Sequence, residues 1–144
     1  MRFWDSSAIV PLLVEEPTSA FARAAFAADP DLIAWWAADI ECVSALARLE
    51  RDGALTPSEV TAAIARLDSL VAAWHVVQPT ELVRRIALRL LRSHALRSAD
   101  AQQLAAAVAA SEQDASNLRF VTLDLRLADV AAREGFAVVI PGAA

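Results

Sequence analysis

The sequence predicts an α/β fold with a mostly parallel sheet of about five strands, covered by helices on both faces. Short apolar runs alternate along the whole chain with longer segments in which apolar residues recur every three or four positions. No linker, internal repeat or low-complexity tract interrupts this alternation. Strands separated by helices pair in parallel through right-handed crossovers. Residues 1–144 are therefore expected to form a single domain.

The first strand and helix come from the opening segment MRFWDSSAIVPLLV. Phe3 and Trp4 form a brief apolar strand, and Ser6 or Ser7 is expected to cap the helix that follows. Asp5 therefore lies where a strand ends and a helix begins. In open parallel sheets this edge carries the ligand crevice, and packing alone explains a carboxylate there poorly.

The second strand is expected within residues 32–36, after a helix that starts near Pro17 and is broken by Pro30. Periodicity alone does not separate this short apolar run from a helix start. A helix over residues 37–52 follows, with Gly53 as its stop. Glu41 lies in its first turn, which parallels the position of Asp5, although the helix dipole alone also favours an acid there.

The next helix begins at Thr56-Pro57-Ser58-Glu59, which combines a capping box with proline at the first helical position. Together with the preceding helix it forms a long hairpin that has more apolar surface than one thin sheet needs. The excess serves either a dimer interface or ordinary core packing. Residues 74–77 then read as the third strand.

Arginines gather on one side of the helix that opens at Pro79 and Thr80. Such a charge run is usually a solvated face, but this one leads directly to another acid, Asp100, so a phosphate-binding role is the alternative. The candidate phosphate-binding residues are Arg85, Arg89, Arg92 and, beyond the helix, Arg97.

Two further acids repeat the placement of Asp5 and Glu41. Asp100 lies in the first turn of a helix for which Ser98 is the expected N-cap. Asp124 follows the predicted strand over residues 118–122 and precedes a helix that ends at Gly135, before a last strand over 137–140. The carboxyl ends of parallel strands share one edge of the sheet, so we expect the four acids to converge there.

The charge composition excludes several classes of enzyme. The net charge is −5 and all 13 basic residues are arginine. Without lysine, the chain cannot be a P-loop kinase, a Schiff-base enzyme or a lysine-dependent phosphate-binding domain of the receiver or haloacid-dehalogenase type. An acidic protein is not drawn to nucleic acid by its overall field. Binding of nucleic acid would need local arginines and bound metal.

Other features of the composition point to a soluble cytoplasmic protein. No apolar run has the length of a membrane span, and no signal-peptide pattern opens the sequence. The single cysteine, Cys42, cannot form an internal disulfide, which fits a reducing compartment.

Four converging carboxylates suit a hard divalent cation. Oxygen ligands fit Mg²⁺ or Mn²⁺, which can activate water and neutralise the charge that develops on a phosphodiester. His75 and His94 are isolated and are expected to be structural or solvated. No serine–histidine–acid arrangement is present, so the pattern favours a hydrolytic, metal-dependent nuclease.

The ordered motifs resemble those of the PIN-domain ribonucleases, and more narrowly the VapC-type toxins of bacterial toxin–antitoxin pairs. The matching segments cover nearly the whole chain: Asp5-Ser-Ser-Ala-Ile-Val, Glu41-Cys-Val-Ser-Ala-Leu-Ala-Arg48, Leu96-Arg-Ser-Ala-Asp100-Ala-Gln-Gln-Leu-Ala-Ala-Ala, and Thr122-Leu-Asp124 with Leu127, Ala131 and Gly135.

The resemblance implies a three-layer α/β/α sandwich and a Mg²⁺- or Mn²⁺-dependent endoribonuclease. It also implies homodimerisation and neutralisation by a cognate antitoxin. By motif position it assigns the acidic quartet, as catalytic and metal-binding residues, to Asp5, Glu41, Asp100 and Asp124. Ser6 and Thr122 are the supporting residues, Thr122 matching the family's small hydroxyl residue beside the last acid.

Three alternatives stay open at this point. The chain could be a PIN-like nuclease that acts on DNA or in RNA processing. It could be a non-catalytic α/β interaction module whose acids are surface caps. A different Mg²⁺ phosphohydrolase or phosphoacceptor domain is disfavoured, because Asp5 is followed by two serines and not by the Asp-x-Asp of phosphoaspartyl phosphatases.

Overall fold

A five-stranded sheet, parallel at every pairing, forms the centre of the computed structural model, which describes residues 1–142. The strand order is β3-β2-β1-β4-β5, so the first strand lies in the middle. The strands are β1 (Arg2–Trp4), β2 (Leu32–Trp35), β3 (His75–Val77), β4 (Arg119–Val121) and β5 (Ala137–Val139). The predicted strands and their parallel pairing are confirmed.

Helices cover both faces of the sheet and make a three-layer α/β/α sandwich. Within residues 1–142 they are α1 (Ser6–Leu13), α2 (Ser19–Ala28), α3 (Ala38–Arg51), α4 (Pro57–Ala73), α5 (Glu81–Ser93), α6 (Ser98–Ala110) and α7 (Leu125–Arg133), with a short 3₁₀ turn at Ala115–Asn117. Helix α1 packs against α2, α3 and α4, whereas α6 packs against α5 and α7. No helix in this range is long and apolar enough to cross a membrane.

The two central strands carry the core. Phe3 and Trp4 of β1 and Phe120 and Val121 of β4 are fully buried, as expected for parallel strands covered on both faces. The rings of Phe3 and Phe120 stack with centroids 5.4 Å apart. Burial of this apolar surface fixes the register of β1 against β4, and with it the position of Asp5.

Some predicted helix boundaries are correct. Thr56 and Glu59 form the predicted capping box, with both hydrogen bonds at 3.1 Å. Gly53 and Gly135 follow α3 and α7 with φ of +79° and +99°, the left-handed conformation that a glycine stop supplies.

Two predicted N-caps are wrong. The N-cap of α1 is Asp5 and that of α6 is Arg97, and neither side chain makes a capping hydrogen bond. Ser98 is the first residue of its helix. The hydroxyls of Ser6 and Ser7 do not cap α1 because they donate to carboxylates, Ser6 to Glu41 of α3 and Ser7 to the neighbouring Asp5.

Candidate active site

Four carboxylates from four elements line one cleft of about 500 Å³. Asp5 directly follows β1, Glu41 and Asp100 lie in the first turns of α3 and α6, and Asp124 is the N-cap of α7. Each acid therefore lies at a strand end or a helix start. The structure brings together the four acids that the sequence singled out, while their chemical roles stay a prediction.

Asp5 is the most deeply buried of the four, with 4% of its surface exposed. Thr122 Oγ1 donates a 2.8 Å hydrogen bond to Asp5 Oδ2, and the Ser7 hydroxyl donates to the same oxygen. Backbone N–H groups orient both hydroxyls: Leu123 N donates to Ser7 Oγ and Asp124 N donates to Thr122 Oγ1, each at 3.0 Å. Within residues 1–142, Asp5 Oδ1 receives no hydrogen bond, so it is the oxygen left to a ligand.

Glu41 is held in a similar way, again through one oxygen. Ser6 Oγ donates to Glu41 Oε2 at 3.3 Å, and Gln103 Nε2 donates to the same oxygen. Sequence reasoning missed Gln103, because an amide in an alanine-rich helix reads as a surface residue. Its spacing of three residues from Asp100 places the two on one helix face and is the signal that could have identified it.

Asp124 and Asp100 have different surroundings. Asp124 Oδ1 accepts hydrogen bonds from the N–H groups of Arg126 and Leu127 at 3.0 and 3.2 Å, which caps α7. Asp124 is thus a helix cap that also lines the cleft. Asp100 faces the Arg97 guanidinium at 3.7 Å, and 26% of its side chain is exposed.

Burial raises the pKa of three of the four acids, and repulsion among them raises it further. For Asp5, hydrogen bonds from the two hydroxyls oppose the effect of burial on the pKa, and the charges of Asp100 and Asp124 add to it. Burial also raises the pKa of Glu41, with contributions from Asp5 and Asp100. For Asp100, burial and then Asp124 raise the pKa, whereas nearby guanidinium groups lower it. The cleft therefore concentrates negative charge that lacks a full complement of cations.

The donor set fits a hard divalent cation. The cleft offers carboxylate oxygens without cysteine or histidine, which is the set that Mg²⁺ or Mn²⁺ prefers. Uncharged groups hold Asp5 and Glu41, so their negative charge is retained for a ligand. As the side chains of residues 1–142 stand, no three His, Cys, Asp or Glu groups are close enough to enclose an ion. A coordination shell would have to draw the four acids closer together.

Arginines surround the cleft unevenly. Arg97 and Arg48 line it, whereas Arg85 and Arg92 are exposed on α5 and are not among the residues that line it. Arg89 pairs with Glu134 at 2.8 Å. The phosphate-binding role of these α5 residues therefore stays a prediction.

The histidines lie outside the cleft. His94 Nε2 lies 2.8 Å from Glu134 Oε2, the carboxylate that Arg89 also contacts, so it ties the end of α5 to the residue that follows α7. His75 is exposed on β3. Both placements fit the structural or solvated roles expected from the sequence.

Comparison with known proteins gives consistent matches in sequence and structure. The family model for the PIN domain matches residues 2–133. Ribonuclease VapC45 and Ribonuclease VapC49, from two strains of Mycobacterium tuberculosis, are each 36% identical over 110 residues, which is 76% of this chain and 76% of each relative.

Solved structures share the fold at lower identity. The crystal structure of FitAcB from Neisseria gonorrhoeae superposes with a TM-score of 0.67 at 19% identity, over 96% of both chains. A structure of FitAB bound to an IR36 DNA fragment superposes with the same TM-score of 0.67 at 18% identity, over 98% of this chain and 95% of the other.

Proposed function

Because the chain belongs to the PIN-domain family and resembles its VapC ribonucleases across three quarters of its length, we propose that it is a Mg²⁺- or Mn²⁺-dependent endoribonuclease. In this proposal it is the toxin of a toxin–antitoxin pair, and it hydrolyses RNA phosphodiester bonds. Asp5, Glu41, Asp100 and Asp124 are the metal-binding and catalytic residues. RNA is the substrate, and a small antitoxin protein is the partner.

One observation carries the proposal. Four carboxylates that are far apart in sequence line a single cleft, and three of them have one oxygen occupied by protein hydrogen-bond donors. If the acids were only helix caps, each would accept hydrogen bonds from backbone N–H groups of its helix. Among the four, Asp124 alone does so. Burying like charges side by side destabilises the folded protein. Binding of a cation therefore explains the cluster of carboxylates better than a role in stability does.

The residues of the chain divide the work. A bound Mg²⁺ or Mn²⁺ supplies an activated water and offsets the charge that develops on the phosphodiester. Thr122 and Ser7 fix the carboxylate of Asp5, and Asp100 adds a charge that protein donors leave largely free. Arg97 and Arg48 border the cleft. Their guanidinium groups would bind phosphate oxygens of the RNA, because a guanidinium presents several N–H donors in a rigid plane.

A homodimer is part of the proposal. Large apolar side chains are exposed in pairs three residues apart: Ile40 and Val43 on α3, and Leu88 and Leu91 on α5. Ile40 is 59% and Leu88 56% exposed. Exposed apolar side chains that are neighbours on one helix face are typical of an interface. In the described residues α4 exposes no large apolar side chain, which favours core packing for that half of the hairpin.

Cleavage of RNA by the purified chain tests the function. Wild-type protein should cut RNA with Mg²⁺ or Mn²⁺ and should be inactive in chelator. Asp5→Asn and Asp100→Asn should each abolish cleavage while the protein remains folded by circular dichroism. Asp129→Asn is the matched control, because Asp129 is an exposed acid of α7 that pairs with Arg133 at 3.2 Å and does not line the cleft.

Two results would contradict the proposal. Full activity of both cleft variants in chelator would exclude the metal mechanism. Cleavage of single-stranded DNA of the same sequence, with RNA left intact, would favour the DNA-directed alternative.

A further inference from the structure

Gln103 is a buried amide with one end satisfied and the other without a partner. Only 1% of its surface is exposed. Its Nε2 donates to Glu41 Oε2 and, at 3.4 Å, to Ser6 Oγ. Its Oε1 is buried without a hydrogen-bond partner among residues 1–142. An unsatisfied buried acceptor destabilises a fold, so stability does not account for glutamine at this position.

The Nε2 group of Gln103, which donates to Glu41, indicates the role of this residue. Glu41 Oε2 has one other protein donor, Ser6 Oγ at 3.3 Å, which is a long contact for a hydroxyl donor. The amide is therefore the closer of two groups that fix this carboxylate. An amide orients a carboxylate without neutralising it, whereas a guanidinium in the same place would compete with a cation.

We propose that Gln103 is a positioning residue: it holds Glu41 through Oε2 and thereby presents Oε1 of Glu41 to a divalent cation in the cleft. The inference rests on the proposed function, in which Glu41 is a metal ligand. Removal of a group that hydrogen-bonds to a metal ligand and orients it typically lowers metal affinity or activity by about 10–100-fold.

The test compares Gln103→Met with Gln102→Met. Methionine has a similar length and lacks both polar atoms, and the buried neighbours of Gln103 along α6 are apolar. Gln102 is the adjacent, exposed residue, and its amide contacts Ser98 at 3.3 Å. In Mn²⁺ titrations by calorimetry, Gln103→Met should bind about 10–100-fold more weakly than wild type, and Gln102→Met should bind equally well.

Melting in chelator separates positioning from a structural role. Gln103→Met removes the unpartnered Oε1, which favours stability, and also a donor to Glu41, which opposes it. Because the two effects on stability offset each other, the melting temperature should stay close to that of wild type. A structural role predicts lower stability with unchanged Mn²⁺ affinity, and that result would overturn the proposal. If the methionine variant does not fold, Gln103→Leu provides the same comparison.

A double-mutant cycle tests whether Gln103 acts through Glu41. In a Glu41→Gln background, Gln103→Met should weaken Mn²⁺ binding no further, because the carboxylate that it orients is gone. Additive losses would overturn the positioning role. Wild-type Mn²⁺ binding that Glu41→Gln weakens and Gln103→Met leaves intact would overturn the role of Gln103 alone. No Mn²⁺ binding by wild type would overturn the proposed function as well.

Discussion

Replacing Asp100 by asparagine is expected to stabilise the metal-free protein at neutral pH. Asp100 raises the pKa of both Asp5 and Glu41 through its charge, and burial and the charge of Asp124 raise its own pKa. Asparagine keeps the shape and removes the charge, so all of these repulsions are relieved together.

The expected gain in stability is modest, because the relief of repulsion among the acids is opposed by the loss of an ion pair. The change also removes the Arg97–Asp100 ion pair, but the two groups are 3.7 Å apart and the arginine side chain is 83% exposed, so that pair contributes little. Solvent screens the repulsion in part, since a quarter of Asp100 is exposed. We expect a net stabilisation on the order of 1 kcal/mol, which for a domain of this size raises Tm by roughly 2–5 °C.

The same repulsion should make the metal-free protein less stable as the pH rises. A carboxyl group whose pKa is raised by folding keeps its proton in the folded state over a pH range in which the unfolded chain has lost it. The penalty is therefore absent below the unfolded pKa, near ~4, and is complete above the folded pKa. Each such group costs up to about 1.4 kcal/mol per pH unit within its window, so metal-free wild type should lose stability as pH rises from ~4.

Thermal melts in chelator and in Mg²⁺ measure both effects. A hundredfold excess of Mg²⁺ over its Kd should stabilise wild type by about 2.7 kcal/mol, and Asp100→Asn should gain much less. Asp129→Asn is again the control and should melt and respond to Mg²⁺ like wild type. If Asp100→Asn melts below wild type in chelator and gains equally from Mg²⁺, then Asp100 is a structural residue and the assignment of the site is wrong.

Four further predictions address the surroundings of the cleft. Thr122→Val should lower the free energy of unfolding by about 1–3 kcal/mol in denaturant titrations, because it removes a donor to buried Asp5, whereas Thr122→Ser should retain most of it; equal losses would contradict this account. If Arg85 and Arg92 bind phosphates, replacing both by glutamine should reduce the slope of log K for RNA binding against log salt concentration by up to ~0.7 per lost contact. An unchanged slope would mean that these arginines form only a solvated face of α5. Leu88→Glu should halve the mass measured by light scattering if α5 forms the dimer interface, and an unchanged mass would exclude this surface. In a complex with the antitoxin, an arginine of the partner should enter the cleft and bind its carboxylates; a complex structure with all four acids open to solvent would remove this mechanism, though not the partnership.

The fold was predictable because its signals are local. Strand and helix periods, the Thr56–Glu59 capping box and the glycine stops at Gly53 and Gly135 all depend on residues within a few positions of each other. The alternation of elements then leaves few topologies to consider. For this reason the number of strands and their parallel orientation were predicted correctly, even where strand ends shifted by one residue.

The hydrogen-bond network of the site was not predictable, because its partners are distant in sequence. Ser7 looked like a cap by its position, yet its hydroxyl binds Asp5 and accepts from the N–H of Leu123, 116 residues away. Gln103 contacts Glu41 across 62 residues. A local rule assigns such a side chain to the nearest backbone group and cannot identify a partner that only folding brings near, such as the N–H of Leu123 for Ser7 or the carboxylate of Glu41 for Gln103.

The central place of β1 in the sheet has a consequence for biosynthesis. Its neighbour β4 begins at Arg119, 115 residues after β1 ends at Trp4, so at ~5–20 residues per second the ribosome delivers it some ~6–23 s later. Until then Asp5 lacks the threonine that fixes it, and Asp124 has not been made. The four acids can therefore come together only after the chain as far as Asp124 has left the exit tunnel.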